Sequence, residues 1–218
     1  LAEKSYLTVV AEDSTATDGY MHQGWLVLID KQKRMRGAYD GTKAEQVDLL
    51  KKDLAILLGQ NPEVFCHLMI PKVEDLASLE KAITAINAAG GHNIPIHVLI
   101  ESAYAVHNAF AIASHPRVQS ISFGLMDFVS SHGGAIGSQA MSSAGQFQHP
   151  MVLRAKLEIA AACHAYGKVP SHCVVTEFAN EALLLSAAQQ AAHQLSYQRM
   201  WSIHPCQIRP VLEAMAPT

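Results

Sequence analysis

Cysteine is scarce and scattered in this 218-residue chain: Cys66, Cys163, Cys173 and Cys206 lie far apart, with no CxxC pair. That spacing gives no disulfide framework, so free thiols in a reducing, cytoplasmic setting are expected. Excess basic charge is missing too. Sixteen Lys and Arg against 19 Asp and Glu leave a formal charge of -3, without the positive field a nucleic-acid partner requires. No apolar run approaches the roughly 20 residues that cross a bilayer, so no membrane partner is expected. The amino end lacks the basic, apolar, small-residue order of a secretory signal, and a chain opening on Leu1 leaves a leader upstream open. Twelve histidines are present, none in HxH or HExxH spacing, so most are expected at the surface or hydrogen-bonded in the core.

What the chain does have is apolar content, half of its residues, enough for one generous core or two small ones. From about residue 62 onward, short apolar runs alternate with longer stretches of helical period, the pattern of βα units around a mainly parallel sheet. The expected strands are 65–71, 94–101, 120–127, 171–177 and 200–205. The helical stretch after the first run stops at Gly90 and Gly91, a second follows over 102–116, and a third over 149–167 is closed by Gly167. A further helix takes Thr176 or Asn180 as its cap. Residues 1–60 differ: GWLVLID and RMRGAYDG flank a polar KQK as in an antiparallel hairpin, and one amphipathic helix then runs to Gly59. This divides the chain into 1–60 and 61–218. Residues 128–149, rich in Gly, Ser and Ala, read as a long polar loop, either functional or disordered.

Three expected strands end in a reactive polar group: Lys72, Glu101 and Asp127. Carboxyl ends of parallel strands share one face of the sheet, so the three can converge. Two neighbouring carboxylates suit a hard divalent ion such as Mg²⁺, which holds a 2-oxo acid or thioester carbonyl and stabilises an enolate. The structural alternative makes Glu101 the cap of the following helix and Asp127 an organiser of its loop. Lys72 either binds a substrate carboxylate or pairs with Glu74 or Asp75. His204, at the end of the last strand, is an acid, a base, or a hydrogen-bonded anchor of its turn.

The motifs MIPKVED, HVLIESAYAVHNAFAIASHPRVQSISFGLMDF and RMWSIHPCQIRPVLEAMAP resemble, in order and spacing, the HpcH/HpaI aldolase and citrate lyase beta-subunit family over about residues 62–217. The resemblance implies an α/β fold, a (β/α)8 TIM-barrel, here incomplete or atypical. It implies a Mg²⁺-dependent carbon–carbon lyase acting on a 2-oxo acid or CoA thioester, with Glu101 and Asp127 as metal ligands. Lys72 and His204 are the expected substrate-binding residues. The two carboxylates are 127 minus 101, or 26, residues apart, room for one helix and one strand. The family commonly assembles, so a homo-oligomer is expected. Its substrate-holding arginine, carried on an earlier strand, has no match; Arg34 or Arg36 could substitute only by proximity.

Residues 1 to about 60 instead resemble the end of the SCO/SenC thioredoxin-like copper chaperones, through LAEKSY, DGYMHQGWLVLIDKQKRMRGAYDGT and VDLLKKDLAILL. In that family a histidine at the position of His22 joins a CxxxC pair on copper, and this chain has no such pair. The chain thus reads as a mosaic of two incomplete families. Its expected function is the lyase, with an impaired scaffold that binds without turnover, or a copper-handling module, as alternatives.

Overall fold

The computed structural model describes residues 25–29, 35–40, 43–60, 67–177 and 180–216. His22 and Arg34, and with them the copper reading, lie outside the described residues, and Arg36 is described in its backbone only. Chain contacts divide the molecule into two units, one of residues 1–68 and 80–95, the other of 69–79 and 96–218.

In the first unit, β1 (Trp25–Ile29) and β2 (Met35–Asp40) pair antiparallel, with Trp25 opposite Asp40. Helix α1 (Ala44–Gln60) follows. Tyr39 of β2 is buried and donates its hydroxyl to Asp53 Oδ2 of α1 at 2.7 Å. Burial and that carboxylate push the phenol up to about 12. Gly37, two residues earlier on the same face of β2, leaves the space that the ring fills: a Cβ there would fall 2.0 Å from the Tyr39 hydroxyl.

The second unit is built on a sheet in which β3 (Leu68–Ile70), β4 (Ile96–Ile100), β5 (Val118–Phe123), β6 (Val169–His172) and β7 (Arg199–Met200) lie side by side in chain order. The pairs β4/β5, β5/β6 and β6/β7 are parallel. Sequential parallel order is what helical crossovers of one hand produce, and it is the wall of a (β/α)8 barrel. Among the described residues this wall has five strands rather than eight. Alternation sends Ile96, Val98 and Ile100 of β4 to one face, all fully buried, and His97 and Leu99 to the other.

Helix α2 (Leu76–Ala88) opens on an Asp75–Ser78 cap, Ser78 N donating to Asp75 Oδ1 at 2.8 Å, and is followed by Gly90 at φ 90°. After β4 the single helix expected over 102–116 is two, α3 (Ala103–His107) and α4 (Ala109–Ser114). They meet at Asn108, whose Nδ2 donates to Tyr104 O at 3.1 Å and to Glu74 O at 3.0 Å. Side-chain competition of this sort interrupts helices.

The expected strand 120–127 also ends early: β5 stops at Phe123 and α5 (Leu125–Ser130) starts at once, with Phe128 edge-on to Phe123 at 5.1 Å. The polar stretch 128–149 is not one long loop, since it holds a 3-10 turn (Ser138–Met141) and α6 (Gly145–Gln148). Helix α7 (Pro150–Ala165), with proline at its start, packs across β5 and β6, and Gly167 at φ 64° closes it. The strand expected over 171–177 is shifted back to Val169–His172, because Val175 instead joins a core with Leu184, Ala187, Ala188, Val211 and Ala214. Those residues come from α8 (Glu181–His193) and α9 (Ile208–Ala214), and the cap of α8 is Asn180, not Thr176, its side chain accepting from Leu183 N at 3.0 Å. The last expected strand, 200–205, is reduced to Arg199–Met200.

No helix among the described residues is long and apolar enough to cross a membrane.

Candidate functional site

Parallel pairing sets Ile100 opposite Phe123, and Gly124 N donates to Ile100 O at 2.8 Å. The next residues on each strand, Glu101 and Gly124, therefore leave the sheet side by side. A Cβ at Gly124 would stand 2.5 Å from Cγ and 2.8 Å from Oε1 of Glu101. Only a glycine lets the Glu101 side chain lie over the end of β5. That carboxylate is 8% exposed. Burial first, and then the charge of Asp127, push its carboxyl up to about 7, while the Lys72 N–H and ammonium act in the opposite direction.

Asp127 reaches the same place from the first turn of α5 rather than from a strand end. Lys72 follows β3 with φ at 52°, the left-handed region that lysine rarely adopts. In that conformation its backbone N donates to Glu101 Oε2 at 2.9 Å and its Nζ to Asp127 Oδ1 at 2.9 Å. One residue thus spans both carboxylates, and the Asp127 contact raises the Lys72 ammonium above its ordinary value.

The expected pairing of Lys72 with Glu74 or Asp75 is overturned. Both carboxylates are engaged elsewhere: Glu74 Oε2 accepts from Ser102 Oγ at 2.5 Å, and Asp75 caps α2. Ser102 is also the cap of α3, accepting from Ala105 N at 3.0 Å, which removes the capping role considered for Glu101. The structure therefore brings Lys72, Glu101 and Asp127 together. His204 caps the 3-10 turn Pro205–Gln207, its Nδ1 accepting from Cys206 N at 3.3 Å while Gln207 Oε1 accepts from His204 N at 3.3 Å. These bonds tie His204 to its own turn, and Gln207 Nε2 ties the turn to Val175 O at 2.7 Å.

Sequence reasoning missed a polar layer beneath the carboxylates. His97 is buried with Nδ1 at 2.5 Å from Ser120 Oγ and Nε2 at 2.7 Å from Ser122 Oγ, and the Trp201 indole donates to Ser122 Oγ at 2.7 Å. The signal was period two: His97, Leu99 and Glu101 on one strand, and Ser120, Ser122 and Gly124 on the next, share a face.

Among the described residues, no group of three or more His, Cys, Asp and Glu side chains gathers as a metal site. The Glu101–Asp127 pair nevertheless fits a hard cation. Its donors are all oxygen, Mg²⁺ needs only one or two protein carboxylates, and a dication would offset the charge that burial makes costly at Glu101.

Comparison with known proteins identifies the family and the fold. The HpcH/HpaI aldolase/citrate lyase family matches residues 43–205, a span that takes in α1 as well as the sheet. An L-malyl-CoA/beta-methylmalyl-CoA lyase of Rhodobacter capsulatus is 32% identical over 182 residues, covering 77% of this chain and 57% of its own length. The crystal structure of a citrate lyase from Burkholderia xenovorans LB400 superposes with a TM-score of 0.74 at 40% identity, over 81% of this chain and 55% of that one. The citrate lyase beta subunit of Mycobacterium tuberculosis, complexed with oxaloacetate and magnesium, shares the fold at 22% identity and a TM-score of 0.63, over 81% of this chain and 70% of that one. The chain spans little more than half the length of the curated relatives it matches. By the extent of the family match, reached independently of the carboxylate geometry, the chain belongs to the HpcH/HpaI aldolase/citrate lyase family.

Proposed function

We propose that the chain carries the metal half of a carbon–carbon lyase site, acting with Mg²⁺ on a 2-oxo acid or a CoA thioester. The observation that carries this reading is the convergence of Glu101, at the carboxyl end of β4, and Asp127, in the first turn of α5, on the one residue Lys72, with Gly124 clearing the space that Glu101 occupies. The malyl-CoA lyase relative supports the reaction class. Glu101 and Asp127 would hold the ion. Mg²⁺ bound there would supply Lewis-acid polarisation of a substrate carbonyl and spread the enolate charge left by carbon–carbon cleavage. Lys72 would offer an ammonium to the anionic end of the substrate, and His204, the cap of the Pro205–Gln207 turn after β7, would face the substrate in the same reading. Assembly into a homo-oligomer and a cytoplasmic setting belong to the same proposal.

The test is cleavage of malyl-CoA, followed through release of its carbonyl product, with Mg²⁺ and after chelation. Turnover that requires the ion and falls by on the order of 100-fold or more in Asp127→Asn is expected, the scale of losing a principal electrostatic contact. Mg²⁺ binding without turnover in the unaltered protein would favour a ligand-binding scaffold instead.

A further inference from the structure

We propose that Lys72 is a built-in counter-cation of the site. Its ammonium holds Asp127 until a divalent ion takes that carboxylate, and is then released toward the anionic group of the substrate. This rests on the lyase reading above and adds an order of events to it: metal first, anion second.

The geometry separates two jobs within one residue. The contact with Glu101 uses the backbone N of Lys72 and depends on the left-handed φ of 52°. The contact with Asp127 uses Nζ at 2.9 Å, and the two side chains are 70% and 52% exposed. An exposed pair of this kind is weak and gives way to a stronger competitor for the same oxygen. Losing it leaves the backbone contact in place, so Glu101 stays oriented while the ammonium moves on its four-carbon stem.

Charge bookkeeping gives the direction of the exchange. When both carboxylates are ionised, their two charges and one ammonium leave the metal-free cluster at one net negative charge, a poor place for an anionic substrate. A dication added to the same three groups leaves one net positive charge, which attracts a carboxylate. The two other acids near Lys72 do not replace Asp127, since Glu74 accepts from Ser102 and Asp75 caps α2. Strained backbone at a lysine that touches both candidate ligands is a pattern associated with functional sites rather than with ordinary surface pairs.

The experiment is calorimetric titration of the full chain, first with MgCl2 and then, in saturating MgCl2, with pyruvate as a simple 2-oxo acid. Lys72→Met removes the ammonium, and Lys72→Gly removes it while easing the left-handed backbone, so the pair guards against a variant that fails for conformational reasons. Both should bind Mg²⁺ roughly two- to five-fold more tightly than the unaltered protein, the scale of an exposed ion pair, with the gain shrinking as NaCl is added. Both should bind pyruvate about ten-fold more weakly in the presence of Mg²⁺, the scale of one charged contact. Lys72→Arg, which keeps the charge, should stay near the unaltered protein in its Mg²⁺ affinity.

If Lys72→Met and Lys72→Gly bind Mg²⁺ no more tightly while Asp127→Asn loses binding, the counter-cation role is overturned and the metal site stands. If Asp127→Asn and the unaltered protein bind Mg²⁺ alike, or neither binds it, the metal site falls and the counter-cation role falls with it.

Discussion

Gly124 is where a single atom decides the candidate site. Its φ of -90° is open to any residue, so its importance lies in space rather than backbone freedom. An added methyl would meet Cγ of Glu101, which lies next to the main chain and cannot swing aside without moving the carboxylate. Gly124→Ala is therefore expected to keep the fold, by circular dichroism and thermal melting, and to weaken Mg²⁺ binding by about ten-fold or more, roughly the loss of one well-placed ligand contact. Wild-type affinity in this variant would show that the Glu101 position seen here is not needed for the metal. Among the site residues, Glu101 and Asp127 were legible in the sequence because each is a lone charge against an apolar run. The Lys72–Asp127 contact was not, since 55 residues separate the two.

At the scale of elements, β4 could be read directly because Ile96–Ile100 is apolar apart from the buried His97, whereas β5 was found but misplaced, its Val118–Phe123 run being broken by the exposed Gln119 and the buried Ser120 and Ser122. The later strands were misplaced for a physical reason. Val174 and Val175 have the β-branched look of a strand, yet Val175 packs among helices and its carbonyl is taken by the Gln207 side chain rather than by a ladder. The division at Asn108 was also hidden, because its competing bond to Glu74 O crosses 34 residues. Helix ends were more predictable where one side chain settles them, as with Pro150 at the start of α7 and Gly167 after it. Asn180 is such a case, its Oδ1 accepting from Leu183 N at 3.0 Å. Asn180→Ala should cost about 1 kcal/mol of stability, the usual value of an N-cap, whereas Thr176→Ala should cost much less. Urea unfolding of both variants checks the assignment, and equal losses would count against the Asn180 cap.

At the scale of the whole molecule, one lysine among the described residues, Lys156, is fully buried and has no role in the carboxylate site. Lys156 falls on the buried face of α7 with Val152, Ile159, Ala160 and Cys163, a helical spacing that could have marked it in the sequence. It is fully buried, and Nζ donates to Gln146 Oε1 and to His172 Nε2, each at 2.8 Å, 4.2 Å from the centre of the Phe147 ring. The lysine has no lone pair to offer while charged, so His172 Nε2 accepts and its Nδ1–H donates to Cys173 O at 3.0 Å. Among the described residues the cluster joins α6, α7 and β6 without a carboxylate, and burial lowers Lys156 to about 8 from an ordinary 10.5. Burial, then the charge of Lys156, also holds His172 well below its ordinary value, and burial raises Cys173 and Tyr197, so these neighbours stay neutral at pH 8. Below pH 8 folded and unfolded chains both carry the Lys156 charge, and its burial cost is fully present. Between about 8 and 10.5 the unfolded chain still holds the proton that the folded chain has released, so stability rises with pH across that window, by up to roughly 3 kcal/mol. Lys156→Met lacks this contribution. Urea unfolding at pH 7.5 and pH 10 should therefore show the stability of the unaltered protein rising relative to Lys156→Met at the higher pH. Parallel behaviour of the two proteins would mean that the buried amine does not titrate in this window.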